Sequence, residues 1–371
     1  MSDMARAAVF VGPGKPLLMQ QFTLPQLAPG EALVRVNCAT LCGSDLHTYL
    51  GRRETPCPTI LGHEILGRVA ALPAGETLVD LAGRRLDVGD RITWSIAANC
   101  GTCFYCERGI PQKCRRLFKY GHEAITDAHP LSGGLADYCH LARGTAVLRV
   151  PDGLPDEVAC PANCATATVA AALRVAGGCR DEVVLVQGAG MLGLTAAAMA
   201  SAGGARETIV CDPDRGRLSR VADFGATRAV ALDNPGDRTA VDTALRSAID
   251  ASTDGRGVDL ALELSGAPEA VEAAVPRLRI GGRYVLVGAV FPTRDVALSA
   301  EQVVRRLLRI EGVHNYTPAD LRTAIDFLAA NHERYPLADL VTGRFGLSEA
   351  ESAFEHARST KAPRVAVVPE A

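Results

Sequence analysis

The sequence predicts an α/β protein with two domains, a β-rich domain followed by a domain built on a doubly wound parallel sheet. In residues 1–160, short runs of alternating apolar residues, such as Ala32–Val36, are separated by turns that contain glycine and proline. From residue 161 onwards, short apolar runs alternate with alanine-rich helical stretches. This alternation is the pattern of βαβ units on a parallel sheet, so it predicts the second domain.

The change of pattern along the chain divides it into three segments. We expect the β-rich domain to cover 1–160, with a cysteine-rich lobe near 97–116, and the parallel-sheet domain to cover 161–305. The remaining segment, 306–371, contains two predicted helices and a final strand, at Ala319–Ala330, Ser348–Ser359 and Arg364–Val368. This segment could form a third small domain or complete the first one, and we expect it to return to the first.

Length and composition indicate a globular protein without a polyanionic partner. The chain has 371 residues, of which 48% are hydrophobic and 22% are charged, so it can bury a sizeable core. Its formal net charge of -3 creates no field that would attract nucleic acid or an anionic membrane. The N-terminal residues lack the pattern of a signal peptide, and no run reaches the roughly 20 apolar residues of a membrane helix. We therefore expect a cytoplasmic protein.

Four of the twelve cysteines form the strongest local motif. They are Cys100, Cys103, Cys106 and Cys114, in a segment with glycines and few large apolar residues. Disulfides are rare in a reducing compartment, so clustered cysteines are more often metal ligands. Ligation by sulfur alone suits zinc, or otherwise an iron–sulfur cluster. Because four ligands leave no open position, the motif predicts a structural metal site.

A second set of metal-type residues is dispersed along the chain. Cys42 opens the motif CGSDLH, His63 and Glu64 lie in GHEILGRV, and Cys164 lies in NCATAT. A catalytic zinc needs three protein ligands and an exchangeable position. Spacing alone does not join these residues, since a lone histidine is more often hydrogen-bonded in a core and a lone cysteine is often a small buried residue. The letters GHE recur at 121–123 without the following GxV, and we do not predict a metal site there.

A glycine-rich turn indicates a dinucleotide site. The apolar run Val183–Gln187 leads directly into the motif GAGMLG, and an alanine-rich helix follows. Between a strand and a helix, these glycines allow a tight turn and let pyrophosphate approach the helix N-terminus. The predicted coenzyme residues of the motif are Gly188, Gly190, Met191, Leu192 and Gly193.

Asp212 ends the next predicted strand and favours NAD over NADP. A carboxylate there can accept the ribose hydroxyls of NAD and repels the 2'-phosphate of NADP. Arg215 and Arg217 follow closely and could serve a phosphate, so NADP stays an alternative. Ser265 and the pair Val287-Gly288 follow later strands at the same predicted edge, where open α/β sheets bind ligands.

Over essentially its full length the chain resembles zinc-containing members of the medium-chain dehydrogenase/reductase superfamily. CGSDLH, GHExxGxV, the four-cysteine lobe and the Gly-rich turn occur in the family's order. The resemblance implies a GroES-like catalytic domain, a Rossmann coenzyme domain, NAD(H) and two zinc ions per subunit. It implies Cys42, His63 and Cys164 as ligands of a catalytic zinc, although some polyol-type relatives use a carboxylate instead of the third cysteine. Glu64 corresponds to a carboxylate that approaches the zinc.

The resemblance also implies roles for other residues. Ser44 would take the proton of the alcohol, and His47 would pass it to solvent through the coenzyme ribose. Asp45 would hold the second nitrogen of His63, or it could cap the short helix that begins here. Val287-Gly288 would lie beside the nicotinamide carboxamide. Arg364 would lie near the coenzyme phosphates, unless it is a surface charge.

Substrate and assembly are less closely defined by the sequence. Arg53 and Lys119-Tyr120 lie in loops that border the substrate in relatives, and basic residues there suit a phosphate, phosphonate or carboxylate group. Segments such as GRRETPCPTILGHE also resemble a subgroup associated with phosphonate metabolism, although the basic residues could be solvated surface charges. Relatives are usually homodimers or homotetramers, and we expect the strand Arg283–Val287 to be the edge that pairs between subunits.

Three alternatives to this interpretation stay open. A polyol-type or threonine-type zinc dehydrogenase has the same chemistry with a different substrate pocket. A zinc-free quinone reductase of the same superfamily would lack Cys42 and the four-cysteine lobe. A non-catalytic dinucleotide-binding protein would not need the intact Ser44–His47 relay.

Overall fold

The computed structural model describes residues 3–370, which form two compact units. The first unit consists of the chain up to Ala167, Thr317–His332 and the residues from Leu337 onwards. The second consists of Thr168–Tyr316 and Glu333–Pro336. The predicted α/β class, with a β-rich unit and a parallel-sheet unit, is confirmed.

Short strands dominate the N-terminal part of the first unit. The strands are β1 (Met4–Phe10), β2 (Leu18–Thr23), β3 (Ala32–Leu41), β4 (Thr59–Ile60), β5 (Glu64–Ala71), β6 (Leu78–Val79), β7 (Arg85–Leu86), β8 (Arg91–Trp94), β9 (Ala97–Ala98), β10 (Phe118–Lys119), β11 (Tyr138–Leu141) and β12 (Val147–Arg149). The helices up to the start of the second unit are α1 (Gly43–Tyr49), α2 (Phe104–Glu107), α3 (Asp156–Ala159) and α4 (Ala165–Ala176).

Strands and helices alternate in the second unit, as the sequence predicts. They are β13 (Val183–Gln187), α5 (Met191–Ala202), β14 (Glu207–Asp212), α6 (Arg215–Leu218), β15 (Arg228–Ala231), α7 (Arg238–Thr253), β16 (Val258–Glu263), α8 (Pro268–Ala274), β17 (Leu278–Leu286), α9 (Ala300–Arg305) and β18 (Arg309–Gly312). The sheet has the order β15-β14-β13-β16-β17-β18, and its pairs are parallel. Every residue of β13 is buried, as expected for a strand covered on both faces.

The strand that we expected at the edge of this sheet lies inside it. The predicted strand Arg283–Val287 is the last part of β17, which ends at Leu286. β17 pairs with β16 on one side and with β18 on the other. Its backbone groups are therefore already paired within the chain, and the predicted edge is wrong. The edge strand on this side is β18.

The C-terminal residues return to the sheet of the first unit. They form α10 (Pro318–Asn331), β19 (Val341–Gly346), α11 (Ala350–Thr360) and β20 (Arg364–Val368). β20 pairs antiparallel with β3, with Val365 opposite Leu41. The core of this unit includes the fully buried side chains of Trp94, Tyr120 and Phe354.

Within residues 3–370, no single helix is long and apolar enough to cross a membrane. One bent pair, Asp156–Asn163 with Ala165–Ala176, passes by length and composition, and most of its residues are buried in the protein.

Candidate metal and coenzyme sites

The four lobe cysteines converge on one point. The Sγ–Sγ distances are 3.4 Å for Cys100–Cys114, 3.6 Å for Cys103–Cys106 and 3.9 Å for Cys103–Cys114. Four sulfurs about 2.3 Å from a central zinc ion in a tetrahedron lie about 3.8 Å apart, so the lobe fits zinc.

The pKa values of the lobe thiols are consistent with a bound cation. Hydrogen bonds from the Thr102 backbone and from Cys114 lower the pKa of Cys100 to about 5, whereas desolvation raises that of Cys106 to about 12. Neighbouring thiols oppose each other's ionisation unless a positive ion lies among them.

The dispersed residues Cys42, His63, Glu64 and Cys164 also come together. Each offers a ligand atom, and these atoms all lie within 4.8 Å of one another. Cys42 precedes α1, His63 directly precedes β5, and Glu64 is the first residue of β5. Cys164 follows a tight turn at Cys160–Asn163. Two sulfurs, one imidazole nitrogen and a nearby carboxylate form a donor set that zinc accepts.

Asn163 explains how a residue from position 164 reaches this cluster. Its fully buried side chain donates hydrogen bonds to the backbone carbonyls of His63, at 3.2 Å, and Trp94, at 3.0 Å. These bonds attach the turn before Cys164 to the start of β5 and the end of β8. This role of Asn163 could not be predicted from the sequence, because its partners are distant along the chain.

The Asp45 carboxylate contacts both His63 and the start of α1. Its Oδ1 lies 3.0 Å from His63 Nδ1, and its Oδ2 accepts a 2.9 Å hydrogen bond from the Cys42 backbone N–H at the start of α1. The two alternatives considered for Asp45 are therefore combined in one fully buried side chain. Although burial lowers the pKa of His63, the Asp45 carboxylate raises it to about 10. This contact directs Nε2 away from Asp45, as a metal-ligating histidine requires.

Cys42 and Cys164 affect each other's pKa. A hydrogen bond from Cys164, together with the nearby Arg364 guanidinium, holds the pKa of Cys42 well below its usual range. The interaction with Cys42 and burial raise the pKa of Cys164. One thiolate is therefore already favoured, and a bound cation is needed to stabilise the second.

Glu64 and Arg364 form a buried ion pair next to the ligands. Arg364 Nε and Nη2 each donate a 2.6 Å hydrogen bond to a different oxygen of Glu64, and Nη2 lies 3.4 Å from Cys42 Sγ. Thr40 donates a third hydrogen bond to Glu64, at 2.6 Å. Arg364 is only 3% exposed, so the alternative of a surface charge is wrong. Its role with the coenzyme phosphates stays a prediction.

Ser44 and His47 lie on one face of α1. They are three residues apart, so their side chains are neighbours on the helix surface, and both are half-buried. Ser44 Oγ lies 3.5 Å from His63 Nε2, at the metal-ligand cluster. Burial and the positive charge of Arg52 lower the pKa of His47, which favours its neutral form.

Three nitrogen-bearing side chains lie near His63, namely those of His122, Arg53 and Lys119. The ring of His122 is 5.2 Å from that of His63, and His122 Nε2 is 3.4 Å from Arg53 Nη1. Burial and the charge of Arg53 lower the pKa of Lys119. Among residues 3–370, neither Arg53 nor Lys119 has a carboxylate partner within salt-bridge distance. The sequence predicts no metal site at the second GHE, but the structure places its His122 beside His63.

Tyr120 is not a substrate residue, and that prediction is wrong. Its side chain is fully buried, and its hydroxyl accepts a hydrogen bond from the Ala142 backbone N–H and bonds Thr145 Oγ1. Its ring packs edge-on against Trp94. Successive side chains of an extended segment point to opposite faces, so Tyr120 enters the core while Lys119 does not.

The glycine-rich turn has the geometry of a dinucleotide loop. Gly188 has φ of +102°, in the region that favours glycine, and a Cβ on Gly193 would lie 1.8 Å from the Gly188 carbonyl oxygen. Gly190 immediately precedes α5, whose first residues are Met191 and Leu192. The loop thus places a helix N-terminus where a pyrophosphate can bind. A larger side chain at Gly193 would clash with the Gly188 carbonyl and disrupt the loop.

Asp212 closes β14 at the same edge of the sheet. Its carboxylate accepts hydrogen bonds of 2.7 Å from the backbone N–H groups of Ala189 and Asp214. Arg217 is exposed and makes a long ion pair with Asp214, and Arg215 pairs with Asp233. Each of the two arginines therefore already has a carboxylate neighbour.

Glu263 organises the last two predicted coenzyme loops. It is fully buried, its Oε1 accepts hydrogen bonds from the backbone N–H and the hydroxyl of Ser265, and its Oε2 accepts one from the Gly288 N–H. A Cβ on Gly288 would lie 2.5 Å from the Gly266 nitrogen. Ser265 and Val287-Gly288 are thus brought together. The role of Glu263 could not be predicted from the sequence, because it depends on contact between two loops.

Comparison with known proteins defines the class. Residues 28–152 match the family described as alcohol dehydrogenase GroES-like domain, and residues 192–330 match the family described as zinc-binding dehydrogenase. The chain therefore belongs to the zinc-type medium-chain alcohol dehydrogenase superfamily. Members of this family bind zinc and NAD(H), and both cysteine-containing clusters fit zinc sites.

Individual relatives cover almost the whole chain. It is 33% identical to 5-exo-hydroxycamphor dehydrogenase of Pseudomonas putida, over 95% of each chain. It is 29% identical to sorbitol dehydrogenase of Halalkalibacterium halodurans, over 93% of this chain and 94% of that protein. Among solved structures, an alcohol dehydrogenase from Thermotoga maritima has a TM-score of 0.92 and 30% identity, covering 99% of this chain and 100% of the other.

Proposed function

We propose that this protein transfers hydride between NAD and a small alcohol or its carbonyl product, with a catalytic zinc held by Cys42, His63 and Cys164. The observation that carries the proposal is the convergence of these ligand atoms beside Ser44, within one unit of the fold. Glu64 is the alternative third ligand. Cys164 is favoured, because both oxygens of Glu64 already accept hydrogen bonds from Arg364.

The chain's own residues orient the substrate and move its proton. Zinc, when bound, supplies a Lewis acid that lowers the pKa of a hydroxyl group. Ser44 accepts the proton of the alcohol, and His47 passes it on, which its lowered pKa allows near neutral pH. Asp45 keeps His63 in the tautomer that leaves Nε2 for the metal.

Metal removal tests this function. Dialysis against a chelator is expected to abolish alcohol-dependent NADH formation, measured by absorbance, and added zinc is expected to restore it. NADH formation that continues in fully zinc-depleted protein would exclude the proposed chemistry. Failure with every alcohol of a panel that includes sorbitol, threonine and simple alcohols would instead favour a non-catalytic dinucleotide-binding protein.

We propose a preference for NAD, carried by Asp212. A buried carboxylate at the end of β14 repels a 2'-phosphate, so the ratio of kcat/KM for NAD to that for NADP is expected to be well above one. Asp212→Asn removes the charge and keeps one of the two oxygens that accept hydrogen bonds from the Ala189 and Asp214 N–H groups. It is expected to lower this ratio by about tenfold or more, which corresponds to about 1.4 kcal/mol.

Arg246→Ala is the control for the coenzyme experiment. Because Arg246 is exposed on α7 and pairs with Asp242, its removal is expected to leave the ratio of kcat/KM for NAD to that for NADP unchanged. Wild-type protein that uses NADP as well as NAD would contradict the proposed role of Asp212.

We further propose that the substrate carries an anionic group, such as a phosphonate. The two thiolates of the catalytic site balance the charge of a divalent ion, and neither Arg53 nor Lys119 has a carboxylate within salt-bridge distance among the described residues. His122, whose Nδ1 has no partner among the described residues, adds a polar atom beside them. An anionic substituent on the alcohol would compensate these charges.

A matched pair of substrates tests the anionic group. The kcat/KM for 2-hydroxyethylphosphonate is expected to exceed that for 1-propanol, and Arg53→Ala is expected to reduce only the former, by about 10- to 100-fold, since a hydrogen bond to a charged group contributes about 1.5–3 kcal/mol. Arg68→Ala, in an exposed arginine of the first unit, serves as the control. Equal efficiency for both substrates, unaffected by Arg53→Ala, would remove this part of the proposal.

We propose a homodimer or homotetramer, as is common in the family, with β18 as the candidate edge for pairing. The neighbouring side chains Val304 and Leu307 are each 70% exposed, which is unusual for large apolar residues. Analytical ultracentrifugation distinguishes these states from a monomer.

A further inference from the structure

A third cluster of metal-type side chains lies in the first unit, separate in sequence from both zinc sites. Glu31 directly precedes β3, and His140 lies in β11, which pairs with β3. His129 lies in the segment between β10 and β11. One ligand atom from each residue lies within 4.8 Å of the others, a spacing that also holds for the two cysteine clusters.

Hydrogen bonding accounts for only part of this arrangement. His140 Nε2 lies 3.0 Å from Glu31 Oε2, which also accepts a hydrogen bond from the Ala28 backbone N–H. His129 takes no part in that bond, and its ring packs 4.9 Å from the ring of His140. Within residues 3–370, the Nδ1 atoms of both histidines are buried and have no hydrogen-bond partner, and His140 as a whole is only 1% exposed. Unpartnered buried nitrogens are costly, so His129 can offer a ring nitrogen to an ion beside the Glu31–His140 pair.

We propose that Glu31, His129 and His140 bind a third divalent transition-metal ion, such as zinc or cobalt. Two imidazoles and one carboxylate favour such ions over the harder magnesium and calcium, which take oxygen ligands. Three protein ligands leave a position for water. The ion would join the segment after β10 to the edge formed by β3 and β11.

Metal counting tests this site without relying on catalysis. Full-length protein equilibrated with zinc and passed through a desalting column is expected to retain three zinc ions per chain, measured by mass spectrometry of the metal. His129→Asn is expected to retain two, and His356→Asn, a replacement of another half-buried histidine, is expected to retain three. Equal zinc content in wild-type protein and His129→Asn would overturn the proposal.

Cobalt identifies where the third ion binds. When Co²⁺ is added to protein whose cysteine sites are filled with zinc, one equivalent is expected to bind without the intense near-ultraviolet absorption of cobalt–thiolate bonds, because this site contains no sulfur. Appearance of that absorption would mean that cobalt had entered a cysteine site and would count against the proposal. Neither readout depends on dehydrogenase activity, so the proposed function and this site can fail independently.

Discussion

Replacement of Cys42 by serine is expected to reduce alcohol-dependent NADH formation by on the order of 10³-fold or more, since the metal supplies several kcal/mol of stabilisation and each 1.4 kcal/mol is about tenfold. Cys42 provides the thiolate that Arg364 and Cys164 stabilise in the free protein. Serine keeps the size of the side chain but does not ionise near neutral pH, so the ligand set loses one of its charges.

The loss of activity should accompany the loss of one zinc ion per chain relative to wild-type protein. Cys57→Ser, in an exposed cysteine outside the clusters, is the matched control and should change neither quantity. A Cys42→Ser variant with full activity and an unchanged zinc content would show that Cys42 is not a ligand.

Replacement of Cys103 by serine is expected to act on stability. The lobe near 97–116 has few buried side chains, so metal ligation is its main source of folding free energy. Loss of a structural ligand is expected to lower the thermal unfolding midpoint by about 10 °C or more. Limited proteolysis should cleave the variant first within the lobe.

The two cysteine replacements should be distinguishable. Cys42→Ser should lose activity while the lobe stays resistant to protease, whereas Cys103→Ser should lose that resistance. If Cys103→Ser kept its zinc and its unfolding midpoint, the lobe would not be a metal site.

Local features of the sequence predicted the parts of the sites that are close along the chain. The four lobe cysteines lie within one short segment, and the glycine turn lies between a strand and a helix, so spacing alone indicated their roles. Asp45 could be paired with His63 only through the family resemblance. The structure shows the physical basis of that pairing, since the same carboxylate also caps the start of α1.

Contacts between distant segments could not be predicted in this way. Arg364 meets Glu64 because β20 returns to pair with β3, and nothing near either residue indicates that pairing. The prediction for Tyr120 failed because a short extended segment turns neighbouring side chains to opposite faces. The edge predicted for subunit pairing failed because β18 follows β17 and covers it.

The most direct test of the catalytic site is anomalous diffraction at the zinc absorption edge from crystals of the purified protein. The account predicts a zinc peak about 2.3 Å from Cys42 Sγ and Cys164 Sγ and about 2.0–2.1 Å from His63 Nε2. Crystals of fully active protein with zinc in the four-cysteine lobe but none among Cys42, His63 and Cys164 would contradict it.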